Sequence, residues 1–273
     1  MSTQPQAPDL TVIKERQQKA WSSGDYGKVG AKLVIMGELL CEAVDFRPGQ
    51  RVLDVACGNG NTALAAARRY GEVVGIDYVP ALLEEARKRA EAEGLEVDFR
   101  EGDAEEIPFP DASFDVVLSS IGAMFAPNQE KVADELLRVL RPEGKIGMAN
   151  WTPDGYAGEM FRTLSAYVPP PAGVKPPFLW GTEERLRDLF GDRIDSLRAE
   201  RRTFVFRYPS ARYHVQYMRT YFGPMSKTFE ALDKDGQRSL ERDLIELVER
   251  FNRSADETAV WPGHYLEVVA NKR

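Results

Sequence analysis

Apolar side chains recur along this chain with two different periods, and the change between them falls near residue 50. Ahead of that point, residues such as Leu33, Met36 and Leu40 are three or four positions apart. This spacing puts apolar side chains on one face of a helix. It predicts helices over Val12–Trp21 and Lys28–Val44, preceded by a loose polar tail over the first ten residues.

Beyond residue 50, short apolar runs alternate with longer amphipathic stretches. The runs predict five strands, at Val52–Val55, Val73–Asp77, Leu95–Arg100, Phe114–Leu118 and Lys145–Asn150. The stretches between them predict helices at Thr62–Tyr70, from Pro80 to near Gly94, and at Glu130–Leu140. Because alternating strands and helices build right-handed crossovers, the pattern predicts a doubly wound α/β fold around a mainly parallel sheet.

After Trp151 the alternation weakens. Prolines at 169–171 and 176–177 predict a loop, and three further helices are predicted at Thr182–Phe190, Ala211–Phe222 and Gln237–Asn252. Two candidate strands, Thr203–Tyr208 and Tyr265–Ala270, bring the sheet to seven strands. The last two helices fall between these strands, so we expect them to form a lid inserted into the sheet domain.

Composition and charge narrow the class of protein. The 273 residues include 36 Lys and Arg against 43 Asp and Glu, a formal net charge of −7, which argues against a nucleic-acid binder with a concentrated basic face. The longest uncharged stretch, residues 116–129, is shorter than the ~20 apolar residues of a spanning helix. With two cysteines and no signal-like start, we expect a cytoplasmic protein without a disulfide framework or a metal site.

The Gly-rich turn at residues 52–63 carries the most chemical information. Gly58 and Gly60 permit positive φ and close approach of a ligand to the backbone, and the helix start beyond them offers unpaired N–H groups. Asp77 ends the next strand, where an acid commonly accepts hydrogen bonds from a ribose. Taken singly, a plain tight turn or a surface carboxylate would explain each of these residues.

Two kinds of nucleotide-like ligand fit this turn. Gly58, Gly60 and Ala63 match the dinucleotide pattern G-x-G-x-x-A, so an NAD(P)-dependent oxidoreductase is one alternative. Asp54, at the end of the first strand, would repel a pyrophosphate and attract an ammonium group. Asp103, after the third strand, is placed for an adenine amino group. A nucleoside with a cationic amino-acid tail satisfies both acids, which favours S-adenosylmethionine.

Four stretches of the chain resemble successive motifs of class I S-adenosylmethionine-dependent methyltransferases: residues 52–63, 74–77, 102–118 and 136–147. Residues 103–109 and 112–115 are similar to the branch (methyltransferase type 11) that includes ubiquinone and menaquinone biosynthesis enzymes. The resemblance implies a Rossmann-like fold, S-adenosylmethionine as cofactor and S-adenosylhomocysteine as product. Together with the element pattern it predicts three parts: an N-terminal helical cover at 1–46, a cofactor-binding domain at 47–208 and 261–273, and a helical lid at 209–260.

The resemblance also implies a set of cofactor-binding residues. The methionine portion would be flanked by Asp54, Gly58 and Gly60, with Ala56 and Asn61 in the same turn. The ribose hydroxyls would bind Asp77, and the adenine would contact Tyr78, Asp103 and Ala104. Ser119 would lie near the sulfonium. The N-terminal segment of the family folds over the cofactor, so Tyr26 is a further candidate contact, although it could equally anchor its helix to the sheet.

The methyl acceptor is predicted from the distribution of aromatic residues. Residues 151–222 hold 14 of the 27 Phe, Trp and Tyr residues, so we expect a small, fairly apolar acceptor that is methylated on O, N or C. Trp151, Tyr217 and Tyr221 are weak candidates for contacts with it. Simple packing of a lid helix on the sheet is the alternative for the tyrosines, which repeat every four residues.

Other features leave the catalytic machinery open. His214 and His264 are the only histidines, and each is more typical of a structural or surface residue than of a general base. No catalytic residue is therefore assigned, and neither is an oligomeric state. A non-catalytic protein that binds S-adenosylmethionine is a third alternative.

Overall fold

Seven strands form one sheet in the computed structural model, which describes residues 9–273; the first eight residues of the predicted tail lie outside this part. The strands are β1 (Arg51–Val55), β2 (Glu72–Asp77), β3 (Val97–Glu101), β4 (Phe114–Ser120), β5 (Leu140–Trp151), β6 (Ile194–Tyr208) and β7 (Ala259–Lys272). They lie in the order β3-β2-β1-β4-β5-β7-β6. The first five are parallel, and β7 runs antiparallel to both of its neighbours. This confirms the predicted Rossmann-like, mainly parallel, seven-stranded α/β fold.

Eleven α-helices lie within residues 9–273: α1 (Leu10–Ser22), α2 (Tyr26–Gly30), α3 (Val34–Val44), α4 (Asn61–Ala67), α5 (Pro80–Glu93), α6 (Gln129–Val139), α7 (Tyr156–Tyr167), α8 (Glu183–Phe190), α9 (Ala211–Tyr221), α10 (Gly223–Glu230) and α11 (Lys234–Phe251). The chain leaves β1 toward β2 on one side and returns to β4 on the other. Strand order therefore reverses beside β1, and ligands of such sheets bind in the crevice at the carboxyl ends of these strands.

Local sequence explains why these elements begin and end where they do. Pro80 is the first residue of α5, where its missing N–H costs nothing, and Gly94 ends the helix with a left-handed φ of 63°. In β1 the side chains of residues 52–55 are all buried, because the strand pairs on both sides and helices cover both faces. A central strand of this kind shows a nearly continuous apolar run, which Asp54 interrupts in β1.

The prediction of a single helix over Lys28–Val44 is wrong, since α2 and α3 are separate. The carbonyl oxygen of Gly30 accepts hydrogen bonds from Leu33 N (2.8 Å) and from Asn61 Nδ2 (2.7 Å). The carbonyl of Gly27 likewise accepts one from Asn59 Nδ2 at 3.3 Å. The Gly-rich turn thus binds α2 from the side, and the chain turns before α3 begins.

The C-terminal third departs further from the predicted elements. Helices α7 and α10 were not predicted, and β6 and β7 are longer than the predicted strands. Strand β6 is an edge strand, and its first nine residues, 194–202, are mostly polar and partly exposed. It therefore lacks an apolar signal, and its pairing with β7 defines it instead.

Helices α9, α10 and α11 lie between β6 and β7, in the stretch predicted to form a lid. They share a buried apolar cluster with α7 and with Trp261 of β7. The division into cover, cofactor-binding domain and lid stays a prediction. Among residues 9–273, no helix combines the length and the apolar character needed to cross a membrane.

Candidate cofactor and acceptor site

The carboxyl ends of β1 and β4 carry a cluster of unusual backbone conformations. In the turn after β1, Ala56 and Gly58 both have a φ of 54°, and Ile121, directly after β4, has a φ of 55°. Positive φ is unusual for the non-glycine residues Ala56 and Ile121. Gly122 allows the two loops to meet, because a Cβ there would lie 2.4 Å from the carbonyl oxygen of Ala56. Strained backbone of this kind tends to gather at functional sites.

Three adjoining cavities open at these strand ends. The turn pocket, about 420 Å³, is bordered by Asp54, Gly58 and Asn61. The strand-end pocket, about 610 Å³, is bordered by Asp77, Tyr78, Asp103 and Ala104. The aromatic pocket, about 570 Å³, is lined by nine Phe, Tyr and Trp side chains. Tyr26 and Ile121 border all three cavities, so they mark the point where the cavities meet.

Asp54 is the polar centre of the turn pocket. Its side chain is 1% exposed, and its Oδ2 accepts a hydrogen bond from Ala63 N at 2.8 Å. Its Oδ1 has no hydrogen-bond partner among residues 9–273. Burial raises the pKa of this carboxyl to about 8, with a smaller contribution from the charge of Asp77. A cationic donor in the turn pocket would give this orphaned oxygen the partner it lacks.

Asp77 links the Gly-rich turn to the strand-end pocket. Its Oδ2 accepts from Gly58 N at 2.9 Å and its Oδ1 from Val79 N at 2.8 Å. Burial raises its pKa to about 6, although these backbone bonds favour the ionised form. Each carboxylate oxygen keeps a free lone pair, as a ribose diol would require. Tyr78 lies beside it at the pocket wall.

Asp103 is tied to the N-terminal helix by a lysine that sequence reasoning missed. Lys14 Nζ lies 2.5 Å from Asp103 Oδ2 and 2.7 Å from Glu105 Oε2. On the next turn of α1, Gln18 Nε2 donates to the carbonyl oxygen of Tyr78 at 2.5 Å. These bonds hold α1 over the strand-end pocket. No local sequence pattern around Lys14 points to carboxylates 89 and 91 residues away.

Most of the predicted cofactor residues come together at these cavities. Tyr26, Asp54, Ala56, Gly58, Asn61, Asp77, Tyr78, Asp103 and Ala104 all border the turn pocket or the strand-end pocket. Burial raises the pKa of Tyr26 to about 12, so its phenol stays neutral. The side chain of Asn61 is already bonded to α2 through its Nδ2 and to Arg89 through its Oδ1.

Two predicted cofactor residues lie outside the linings of the three cavities. Ser119 Oγ donates to the carbonyl oxygen of Val55 at 2.8 Å and accepts from Ala123 N at 3.0 Å. Its hydroxyl therefore joins β4 to its neighbours, and Ser120 borders the turn pocket instead. Gly60 has a φ of 86° and leaves room for Phe99, which a Cβ would approach to 3.1 Å.

The aromatic pocket includes only one of the three predicted acceptor contacts. Trp151 lines it, whereas Tyr217 and Tyr221 do not. Tyr217 instead donates its hydroxyl to the carbonyl oxygen of Lys28 at 2.8 Å and packs against Tyr221, with ring centroids 4.8 Å apart. Tyr217 thus connects α9 to α2, whereas the packing alternative placed the lid helix on the sheet.

Rings from distant parts of the chain build the pocket wall. Trp21 of α1 makes edge contacts with Tyr26, Phe125 and Phe222, at centroid distances of 5.1 to 5.5 Å. Among the described residues that line the pocket, Lys32 is the only one with a formal charge, and its Nζ lies 4.9 Å from the ring centroid of Tyr217. The N-terminal helices and the helices after β6 therefore both contribute to the wall of this cavity.

The two histidines have different surroundings. His214 lines the aromatic pocket, is 1% exposed and bonds to the Tyr156 hydroxyl through Nε2 at 2.7 Å. His264 lies in the β6–β7 pair, where its Nδ1 is 3.2 Å from Thr203 Oγ1, and it borders none of the three cavities.

Comparison with known proteins places this geometry in a family. Residues 52–144 match the model of a methyltransferase domain. An uncharacterized protein of Mycobacterium tuberculosis is 37% identical over 281 residues, which cover 100% of both chains. A demethylmenaquinone methyltransferase of Thermus thermophilus is 42% identical over 125 residues, 44% of this chain and 57% of that protein.

A solved structure supports the same fold. The YcgJ protein of Bacillus subtilis superposes with a TM-score of 0.59 at 19% identity, over 86% of this chain and 97% of that chain. Residues 52–144, the segment that matches the methyltransferase domain, begin in β1 and include Asp54, Asp77 and Asp103. The segment of residues 52–144 is thus a methyltransferase domain of the class I S-adenosylmethionine-dependent type, and S-adenosylmethionine is its cofactor.

Proposed function

We propose that this protein transfers a methyl group from S-adenosylmethionine to an O, N or C atom of a small, largely apolar acceptor held in the aromatic pocket. The observation that carries the proposal is the meeting of three cavities at Tyr26 and Ile121. Two of them present acids and backbone suited to the cofactor, and the third is lined mainly by apolar and aromatic side chains, as small-molecule sites usually are.

The residues of the first two pockets fit the cofactor chemically. Asp54 Oδ1, which is buried and has no partner in the described part of the chain, would accept a hydrogen bond from the ammonium group. Asp77 would accept from the ribose hydroxyls, and Asp103 with Ala104 would border the adenine. When bound, S-adenosylmethionine supplies a methyl group that is already activated by a sulfonium.

The chain itself contributes positioning and exclusion of water. Helix α1 is held over the strand-end pocket by Lys14 and Gln18, and Trp21 closes the wall that this pocket shares with the aromatic pocket. Alignment of the reacting groups is worth about 7–11 kcal/mol of the barrier in favourable cases. Since the leaving group needs no further activation, a base is required only for an acceptor that must lose a proton.

Calorimetric titration with S-adenosylmethionine, S-adenosylhomocysteine and NAD tests whether the turn pocket and the strand-end pocket, together called the cofactor pockets, bind the cofactor. We expect the first two to bind and NAD to give no heat of binding; binding of NAD alone would overturn the proposal. Incubation with methyl-labelled cofactor and a metabolite extract then tests catalysis. Label in a small apolar compound would support the acceptor class, whereas label only in protein or nucleic acid would contradict it.

A further inference from the structure

The aromatic pocket contains one polar pair among its rings. Tyr156 and His214 are 2% and 1% exposed, and the Tyr156 hydroxyl lies 2.7 Å from His214 Nε2. Within residues 9–273, His214 Nδ1 has no hydrogen-bond partner. The imidazole is packed edge to face against Tyr208 and Trp261, with centroids 4.5 and 4.8 Å away. A core built only for stability would gain little from a half-satisfied polar pair, which the fold pays to bury.

The imidazole of His214 is neutral. Burial lowers its pKa to about 3, and the ammonium of Lys32 at the same pocket acts in the same direction. Burial likewise raises the pKa of Tyr156, so the phenol keeps its proton. The pair therefore faces the pocket as two uncharged groups that share one hydrogen bond.

The shared bond leaves Tyr156 with capacity for one more partner. If His214 Nδ1 carries the imidazole proton, Nε2 accepts the tyrosine O–H, and the phenol oxygen can still accept a hydrogen bond. If Nε2 carries it, Nε2 donates to the phenol oxygen, and the tyrosine O–H is free to donate. A hydroxyl group, which both donates and accepts, matches either arrangement. A cationic acceptor is disfavoured, because the one charged residue that residues 9–273 contribute to the lining is a cation, Lys32.

We propose that the Tyr156–His214 pair selects acceptors that carry a hydroxyl group on an apolar ring. Tyr156 is the hydrogen-bond anchor for that hydroxyl, and His214 is a positioning residue that holds the tyrosine hydroxyl in place. The surrounding rings, among them Trp151 and Phe206, supply the flat apolar walls. This inference rests on the proposed function, because it names the substrate class of the same aromatic pocket.

The test compares two probes that differ by one hydroxyl, 2-naphthol and naphthalene, titrated into the full chain saturated with S-adenosylhomocysteine. We expect the wild type to bind 2-naphthol about tenfold more tightly, which corresponds to about 1.4 kcal/mol. In Tyr156→Phe the ratio of the two dissociation constants should fall to near one. Tyr213→Phe is the control, because Tyr213 lies beside His214 in α9 but borders none of the three cavities, and its ratio should stay near ten.

If the pair had a purely structural role, its loss would weaken the binding of both probes equally and leave the ratio of their dissociation constants unchanged. The ratio therefore distinguishes a structural role from hydroxyl recognition. His214→Gln places a carboxamide within reach of Tyr156 and should retain the preference, whereas His214→Leu should lose it. This second pair of variants decides the question if Tyr156→Phe does not fold. A ratio near ten in both Tyr156→Phe and His214→Leu would overturn the inference.

Failure of the inference is distinguishable from failure of the proposed function. A wild type that binds S-adenosylhomocysteine but shows no preference for 2-naphthol refutes the role of the pair and leaves the cofactor pockets as assigned. A wild type that binds neither S-adenosylhomocysteine nor S-adenosylmethionine refutes the proposed function itself, before any probe is added.

Discussion

Asp54 offers the sharpest test of how the cofactor pockets work. Its carboxyl has a pKa of about 8 because it is buried, and one of its oxygens has no hydrogen-bond partner within residues 9–273. In the ligand-free chain it therefore holds a proton at neutral pH. A bound ammonium group would favour the ionised form, so cofactor binding should release that proton.

The size of the effect follows from this pKa. At pH 7, a group with a pKa of about 8 is roughly nine-tenths protonated, so binding should release about 0.9 proton. The ligand-free state holds more protons than the bound state, so affinity rises with pH. Between pH 6 and pH 8 the gain is roughly fiftyfold if the bound carboxyl stays ionised throughout. Asp77, with a pKa of about 6, adds a smaller dependence near the lower end of this range.

Calorimetry measures the proton directly. The heat of S-adenosylmethionine binding at pH 7 is recorded in buffers of different ionisation enthalpy, and its slope against that enthalpy gives the number of protons released. For Asp54→Asn we expect weaker binding and a slope near zero. Asp25→Asn serves as the control, since this carboxylate borders none of the three cavities, and its slope should equal that of the wild type. The same slope in wild type and Asp54→Asn would refute the reasoning.

Three further predictions concern stability around the site. Asp54→Asn should raise the Tm of the ligand-free chain, and the gain should be larger at pH 8 than at pH 5. The pKa of the Asp54 carboxyl is higher in the folded state than in the unfolded state, so the wild type loses stability as the pH rises from about 4 to about 8. Lys14→Met should lower the free energy of unfolding in urea by about 1–2 kcal/mol, because two carboxylates, one of them buried, lose their shared cation. Gly24→Ala should cost about 1–3 kcal/mol in the same assay, since its methyl group would lie 2.3 Å from the carbonyl oxygen of Tyr221.

Each of these predictions has a contrary outcome. A Tm gain in Asp54→Asn that does not change with pH would show that the carboxyl is not held protonated. Lys88→Met is the control for Lys14→Met: it removes an exposed lysine 4.0 Å from Glu84 and should change the free energy of unfolding by less than about 0.5 kcal/mol. If Lys14→Met changed stability no more than Lys88→Met, the role of the Lys14 ion pairs would be contradicted. Ser22→Ala, at the exposed last residue of α1, is the control for Gly24→Ala, and similar losses in both would exclude a steric cause.

The sequence predicted best those elements whose signal is local and apolar. Strand β1 and helix α5 follow from a buried apolar run and from a proline start with a glycine stop. Strand β6 was mostly missed, because an edge strand with one exposed face carries charged residues that give no periodic signal. The break between α2 and α3 was missed because it depends on Asn61, 31 residues from the Gly30 carbonyl that it binds.

The sequence alone singled out the residues that we propose bind the cofactor. Asp54, Gly58 and Asp77 stand at strand ends and in the turn that joins a strand to a helix, so their positions follow from short-range spacing. The tertiary structure decided what surrounds these residues. It pairs Lys14 with Asp103, joins Tyr156 to His214 by a hydrogen bond, and places Trp151 rather than Tyr217 in the wall of the aromatic pocket. Helical spacing shows which residues share a face, but the partner of that face is set by the packing of distant segments, which no local pattern encodes.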